Sequence, residues 1–187
     1  PEQLITDSIR QLIINPGALQ VMDFADGRVQ LVAVRAIHGG PMLGQALSEI
    51  RKHMPRVDTR VAAIFRRNRP IIPEGDTVVE PDDEIFFIAA RGNIRKVMSE
   101  LRRIDKPYRN VMIAGGGNIG ARLAQTIEAD YTVKLIDNSY RRCRDLAEQL
   151  RHTLVIEGSA AEPQLLHEEN IEAMDVFCAL TANDESN

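Results

Sequence analysis

One segment in the second half of the chain restricts the fold more than any other. The apolar run Val111-Met112-Ile113-Ala114 meets Gly115-Gly116-Gly117-Asn118-Ile119-Gly120, and beyond it Ala121, Leu123, Ala124 and Ile127 fall at helical spacing. A strand, a glycine turn and a helix in direct succession open a βαβ unit. Each glycine answers a separate demand. Gly115 permits the tight turn, Gly117 lets main chain approach a pyrophosphate, and Gly120 lets the helix pack close to the strand. The N–H groups at the helix mouth and the positive end of its dipole then form a cradle for phosphate.

A second feature stands in register with the first. Asp137 closes the strand Val133-Lys134-Leu135-Ile136, 20 residues beyond Gly117. A carboxylate there accepts hydrogen bonds from ribose hydroxyls and repels a 2′-phosphate, which favours NAD(H) or an adenosine nucleotide over NADP. The competing reading makes the glycines a structural turn and Asp137 a helix cap. Arg141, Arg142 and Arg144 follow closely and could meet a phosphate, although a solvated helix face is the plainer assignment. Cys143 lies among them on a predicted surface helix, where neighbouring guanidinium groups could lower its pKa, although an inert thiol is the plainer assignment.

The rhythm continues with helix Asn118–Glu128, helix Tyr140–Leu150, strand Thr153–Ile156, helix Glu162–Asn170 and strand Asp175–Leu180. Short β-rich runs alternating with helices predict an α/β, Rossmann-like parallel sheet. About four strands is fewer than such a sheet normally has, so the domain is expected to be truncated. The chain also opens at Pro1 without Met and stops in a polar stretch, so both ends read as cut from something longer.

Before this region the periodicity differs. Glu2 to Ile14 places Leu4, Ile5, Ile9, Leu12 and Ile13 at helical spacing, and Asn15-Pro16-Gly17 ends the helix. A lone amphipathic helix has no obvious core here, so residues 1–15 read as the terminal helix of a preceding domain. From Leu19 to Val34 two alternating runs flank Ala25-Asp26-Gly27, a hairpin signal. Gly44 to His53 suits a helix, Arg60 to Phe65 a strand, and Pro70 to Thr77 a turn-dense loop. Glu84 to Ala90 is almost continuously apolar, hence a central strand, and Asn93 to Leu101 returns to helical spacing. Residues 16–105 therefore read as a small α+β domain. The polar stretch around Pro107 separates it from a nucleotide-binding domain over 108–187.

Charge and composition narrow the partners. Residues 1–107 carry 16 basic against 14 acidic side chains, and residues 108–187 carry 7 against 13. That balance gives no general pull toward nucleic acid or anionic lipid. The chain has no Trp and few aromatics, so a base-stacking surface is poorly supplied. The basic stretch Arg51 to Arg69 and the acidic stretch Glu74 to Glu84 read as mutually neutralising faces. No apolar run is long enough to insert into a membrane. Two cysteines form no metal spacing and suit a reducing compartment. The four histidines lie in separate elements, which argues against a metal site. His38-Gly39-Gly40 lacks any accompanying nucleophile elbow, and no catalytic set is evident.

The motifs together carry a family resemblance. Ile113 to Gly120, then Leu135-Ile136-Asp137, then Gly158-Ser159-Ala160, then Ala179 to Asn187 resemble the RCK (or KTN) nucleotide-binding domain. Pro73-Glu74-Gly75-Asp76-Thr77 through Pro81-Asp82-Asp83-Glu84-Ile85 is similar to the companion RCK C-terminal domain. A C-type module followed by an N-type module implies tandem RCK repeats. The resemblance implies a cytosolic regulatory subunit of a potassium-uptake system, peripheral to the inner face of the cell membrane. It implies binding of NAD(H), ADP or ATP, a homo-oligomeric ring, and a TrkH/TrkG-type membrane potassium channel as partner. By position it makes Gly115, Gly116, Gly117, Asn118, Ile119 and Gly120 the phosphate loop and Asp137 the ribose acid. Ser159, where many relatives carry an aspartate, falls near the adenine, and Thr181 with Ala182 closes over the nucleotide. A nicotinamide-dependent oxidoreductase would share the fingerprint but needs a substrate domain and proton donor. The soluble RCK domain of another channel or antiporter is the third possibility.

Overall fold

The computed structural model describes residues 2–104 and 106–181. Two compact units divide the chain: residues 15–106, and the residues from 107 onward together with the first fourteen. Helix α1 (Glu2–Ile14) thus belongs to the second unit.

Residues 15–106 form a five-stranded antiparallel sheet. Its elements are β1 (Ala18–Phe24), β2 (Val29–Arg35), the one-turn helix α2 (Ile50–His53), β3 (Thr59–Arg66), β4 (Arg69–Ile71), β5 (Glu84–Ala90) and α3 (Ile94–Leu101), with strand order β1-β2-β5-β3-β4. The apolar β5 is central, as its sequence requires. Ile85 and Phe87 are fully buried there beside Val32, Val34 and Ile64, and α3 adds Ile94, Val97, Met98 and Leu101 to the same core. The β1–β2 hairpin turns through Ala25 and Asp26 at φ +51° and +57°, the mirror-image geometry that matches strand twist.

Two expectations for this unit need correction. Arg67 and Asn68, both at positive φ, make a second hairpin into β4, so Pro70 begins the turn-dense region from within an edge strand that tolerates its missing N–H. Gly44 to Ala46 is not helical either. The Gly44 N–H donates to the Val79 carbonyl and the Val79 N–H to the Gln45 carbonyl, so loop pairing consumes the groups a helix would use. The basic and acidic stretches do meet. Fully buried Asp83 accepts from Nε and Nη2 of Arg66, both at 2.8 Å, and from the Glu80 N–H at 2.9 Å; Arg66 also pairs with Glu80 at 2.6 Å. These contacts, the Asp83 hydrogen bond first, hold the Arg66 pKa above its ordinary value.

The second unit is doubly wound. It contains β6 (Asn110–Ala114), α4 (Asn118–Ile127), β7 (Thr132–Asp137), α5 (Tyr140–Gln149), β8 (Leu154–Glu157), α6 (Pro163–Glu168) and β9 (Val176–Ala179). All pairings are parallel, in the order β8-β7-β6-β9. Val111, Ile113, Val133 and Leu135 turn one face toward Leu123, Ala124 and Ile127 of α4 and toward Leu146 and Leu150. Ile13 joins that cluster, so α1 does find a core: it packs against α4. On the opposite face Lys134 crosses to the residue after α6, donating to the Glu169 carbonyl and carboxylate at 2.9 Å each.

Candidate functional site

Strand order fixes where a ligand can sit. β6 is flanked by β7 on one side and β9 on the other, so the chain reverses its winding direction beside β6. In such sheets the crevice lies beyond the carboxyl ends of the strands at this switch point. A cleft of about 390 Å³ occupies that position, within the range of small-molecule sites. Gly115 and Gly117 line it after β6, Asp137 and Asn138 after β7, Ser159 after β8, and Thr181 after β9.

The bend between β6 and α4 depends on its glycines. Gly115 adopts φ +106°, and a Cβ there would stand 2.6 Å from the Leu180 carbonyl oxygen. A Cβ on Gly120 would overlap the Gly115 carbonyl oxygen, so the helix can begin this close to the loop only without a side chain. Gly117 is different: it caps α4 in extended conformation, and among the described residues nothing lies within 4 Å of where its Cβ would be. Main chain at Gly117 is therefore exposed and borders the cleft. The first amides of α4 have no intrahelical acceptor; the first bond that closes the helix runs from Ala121 N–H to the Gly117 carbonyl.

Asp137 serves the loop as well as the cleft. Its Oδ2 accepts the Gly116 N–H at 2.7 Å and its Oδ1 the Ser139 N–H at 2.9 Å. Each carboxylate oxygen retains a second lone pair, and the residue lines the cleft. The helix-cap reading of Asp137 is displaced, because Ser139 caps α5 by accepting the Arg142 N–H.

The sequence-derived site residues separate into three groups. Gly115, Gly117, Asp137, Ser159 and Thr181 surround the cleft. Gly116 and Gly120 are buried behind it and shape the bend. Asn118 and Ile119 lie in the first turn of α4, and the Asn118 side chain donates to Glu2 of α1 at 3.1 Å rather than lining the cleft. Ala182 lies outside the described residues. Two arrangements escaped sequence reasoning. The Arg142 Nε donates to the Gly116 carbonyl at 2.6 Å, so this arginine is tied to the loop instead of standing on a solvated face. Cys143 is on the buried face of α5, and its thiol donates to the Asp137 carbonyl at 3.3 Å. Burial foremost, then Asp137 and Glu157, push its pKa up, in line with an inert thiol and against activation by the neighbouring arginines. The spacing Cys143, Leu146, Leu150 was the available signal: it marks one helix face.

A doubly wound sheet, an open glycine bend at its switch point and an acid one strand away define a nucleotide-binding fold of the Rossmann class. Residues 31–102 match the TrkA-C domain family and residues 111–187 the TrkA-N domain family. The chain belongs to the TrkA family of RCK-domain proteins. Over all 187 residues it is 61% identical to the Trk system potassium uptake protein TrkA of Halomonas elongata and 58% identical to that of Vibrio alginolyticus. It spans 41% of the length of each of these curated relatives. Among solved structures, the GsuK RCK domain superposes with a TM-score of 0.60 at 20% identity, over the whole chain and 40% of that domain's chain. The GsuK channel bound to NAD gives 0.59 at 18% identity, over the whole chain and 32% of its own. These likenesses establish the fold.

Proposed function

We propose that this chain is a nucleotide-sensing regulatory part of a potassium-uptake system, and not an enzyme. It binds NAD(H), with ADP or ATP competing at the same site, and through a ring of RCK domains it gates a TrkH-type membrane channel from the cytoplasmic face. The observation that carries the reading is the open bend at Gly117, the N-cap of α4, which lines a cleft that also contains Asp137. The NAD-bound state of the GsuK channel, a protein of the same fold, supports the choice of ligand. The names of the potassium-uptake relatives support the choice of system.

Each residue then has a defined task. The amides of Gly117, Asn118 and Ile119 receive the diphosphate, shaped by Gly115, Gly116 and Gly120. Asp137 accepts a ribose hydroxyl, Ser159 borders the adenine, and Thr181 closes the cleft. Ligand acts on the channel only if it binds two arrangements of the assembly with different affinity. Calorimetry with NADH, ATP and ADP, paired with an assay of NADH consumption, tests the proposal. Saturable binding with no consumption is the expected result; steady NADH oxidation with a metabolite would overturn the regulatory reading.

A further inference from the structure

Gly116 is held through the two peptide groups that meet at its Cα. Asp137, at the end of β7, accepts its N–H at 2.7 Å, and Arg142, in the first turn of α5, donates Nε–H to its carbonyl at 2.6 Å. Ser139 fixes the start of α5 by accepting the Arg142 N–H, and its own N–H is held by Asp137. Asp137, Ser139 and Arg142 therefore form a hydrogen-bonded chain that pins two successive peptide planes, the second of which carries the open amide of Gly117. The Gly116 N–H belongs to the Gly115–Gly116 peptide, and the Gly116 carbonyl to the Gly116–Gly117 peptide, whose plane also carries the Gly117 N–H. By holding that carbonyl, Arg142 sets the direction of the coplanar Gly117 N–H, while Asp137 fixes the plane before it.

We infer that Arg142 is a positioning residue for the phosphate cradle, which it orients through the Gly116 carbonyl without touching the ligand. The inference rests on the nucleotide reading given above and deepens it. Arginine suits the task because Nε–H sits in a rigid plane and gives a charge-assisted bond of defined direction. The second consequence concerns signalling. Because the same side chain belongs to α5, any ligand that pulls on the bend loads that helix directly, so occupancy of the cleft and the seating of α5 are one mechanical unit.

The test compares two ligands that differ only in their phosphates. In the purified full chain, Arg142→Gln is expected to lower affinity for ADP about tenfold, a loss of about 1.4 kcal/mol, while affinity for adenosine stays within about twofold. Should that variant fail to fold, Arg142→Lys carries the same comparison with an expected ADP loss of about threefold, since a lysine donor reaches the carbonyl without a fixed direction. A purely structural role would weaken both ligands equally. Equal losses for ADP and adenosine, or no loss for either, would overturn the inference. Absence of ADP binding to the unsubstituted chain would instead overturn the nucleotide reading on which it stands.

Discussion

The glycines of the bend allow folding and binding to be separated by substitution. Gly117 holds φ −62° and ψ −171°, a conformation open to any residue, with no atom of the described residues within 4 Å of its missing Cβ. Gly117→Val therefore meets no steric obstacle among the described residues. Its stability cost is that of a poorer helix cap, about 1 kcal/mol, or a melting-point fall of about 2–4 °C for a chain of this size. The two γ-methyl groups, however, stand where a diphosphate must approach the amides. Losing even one charge-assisted hydrogen bond costs about 1.5–3 kcal/mol, so ADP affinity should fall by at least about tenfold. Gly120→Ala makes the opposite case. Its Cβ overlaps the Gly115 carbonyl oxygen, and since that atom is main chain it can yield only by moving α4 off β6. Such a shift costs about 3 kcal/mol or more. Thermal melts followed by circular dichroism, with ADP titrations by calorimetry, measure both quantities. If Gly117→Val bound ADP like the parent, main chain at Gly117 would not be the phosphate contact, and the reasoning would fail.

Two further outcomes follow from side-chain chemistry. Asp137→Ala removes both a ribose acceptor and the partner of the Gly116 N–H, so NADH affinity should drop by about 1–3 kcal/mol, read by calorimetry; unchanged affinity would place the ribose elsewhere. Glu128 accepts the N–H groups of Arg151, His152 and Thr153 and the Thr153 hydroxyl. Burial opposes its charge, but the His152 and Arg151 amides and the two Thr153 donors prevail and hold its pKa below the ordinary glutamate value of 4.5. Its contribution is therefore complete above that pH and lost as pH falls through the lower folded value. Urea unfolding should show Glu128→Gln less stable by about 1–2 kcal/mol at pH 7, with the gap closing well below pH 4.5; a gap independent of pH would contradict this assignment.

Much of this was legible because the relevant signals are local. Gly115 to Gly120 specify strand, bend and helix within one span, and Ala25-Asp26-Gly27 sets the first hairpin by turn chemistry alone. The continuous apolar run of β5 placed it centrally, and both its edges are indeed paired, although only Ile85, Phe87 and Ala89 turn into the core while Ile88 is exposed. What escaped depends on contacts between elements distant in sequence. Arg142 gains its role from a carbonyl 26 residues away, and α1 reaches α4 across more than a hundred residues of intervening chain. The Arg67-Asn68 hairpin was missed for another reason: asparagine tolerates positive φ, but arginine gives no comparable warning.

The central claim is that free amides at the mouth of α4 hold a diphosphate beside Asp137. Amide NMR of the isotopically labelled chain during ADP titration probes those groups one by one. The account requires the largest saturable shifts at Gly115, Gly117, Asn118 and Ile119, followed by Asp137 and Ser159. Binding that moved other amides and left Gly117 to Ile119 in place would contradict it.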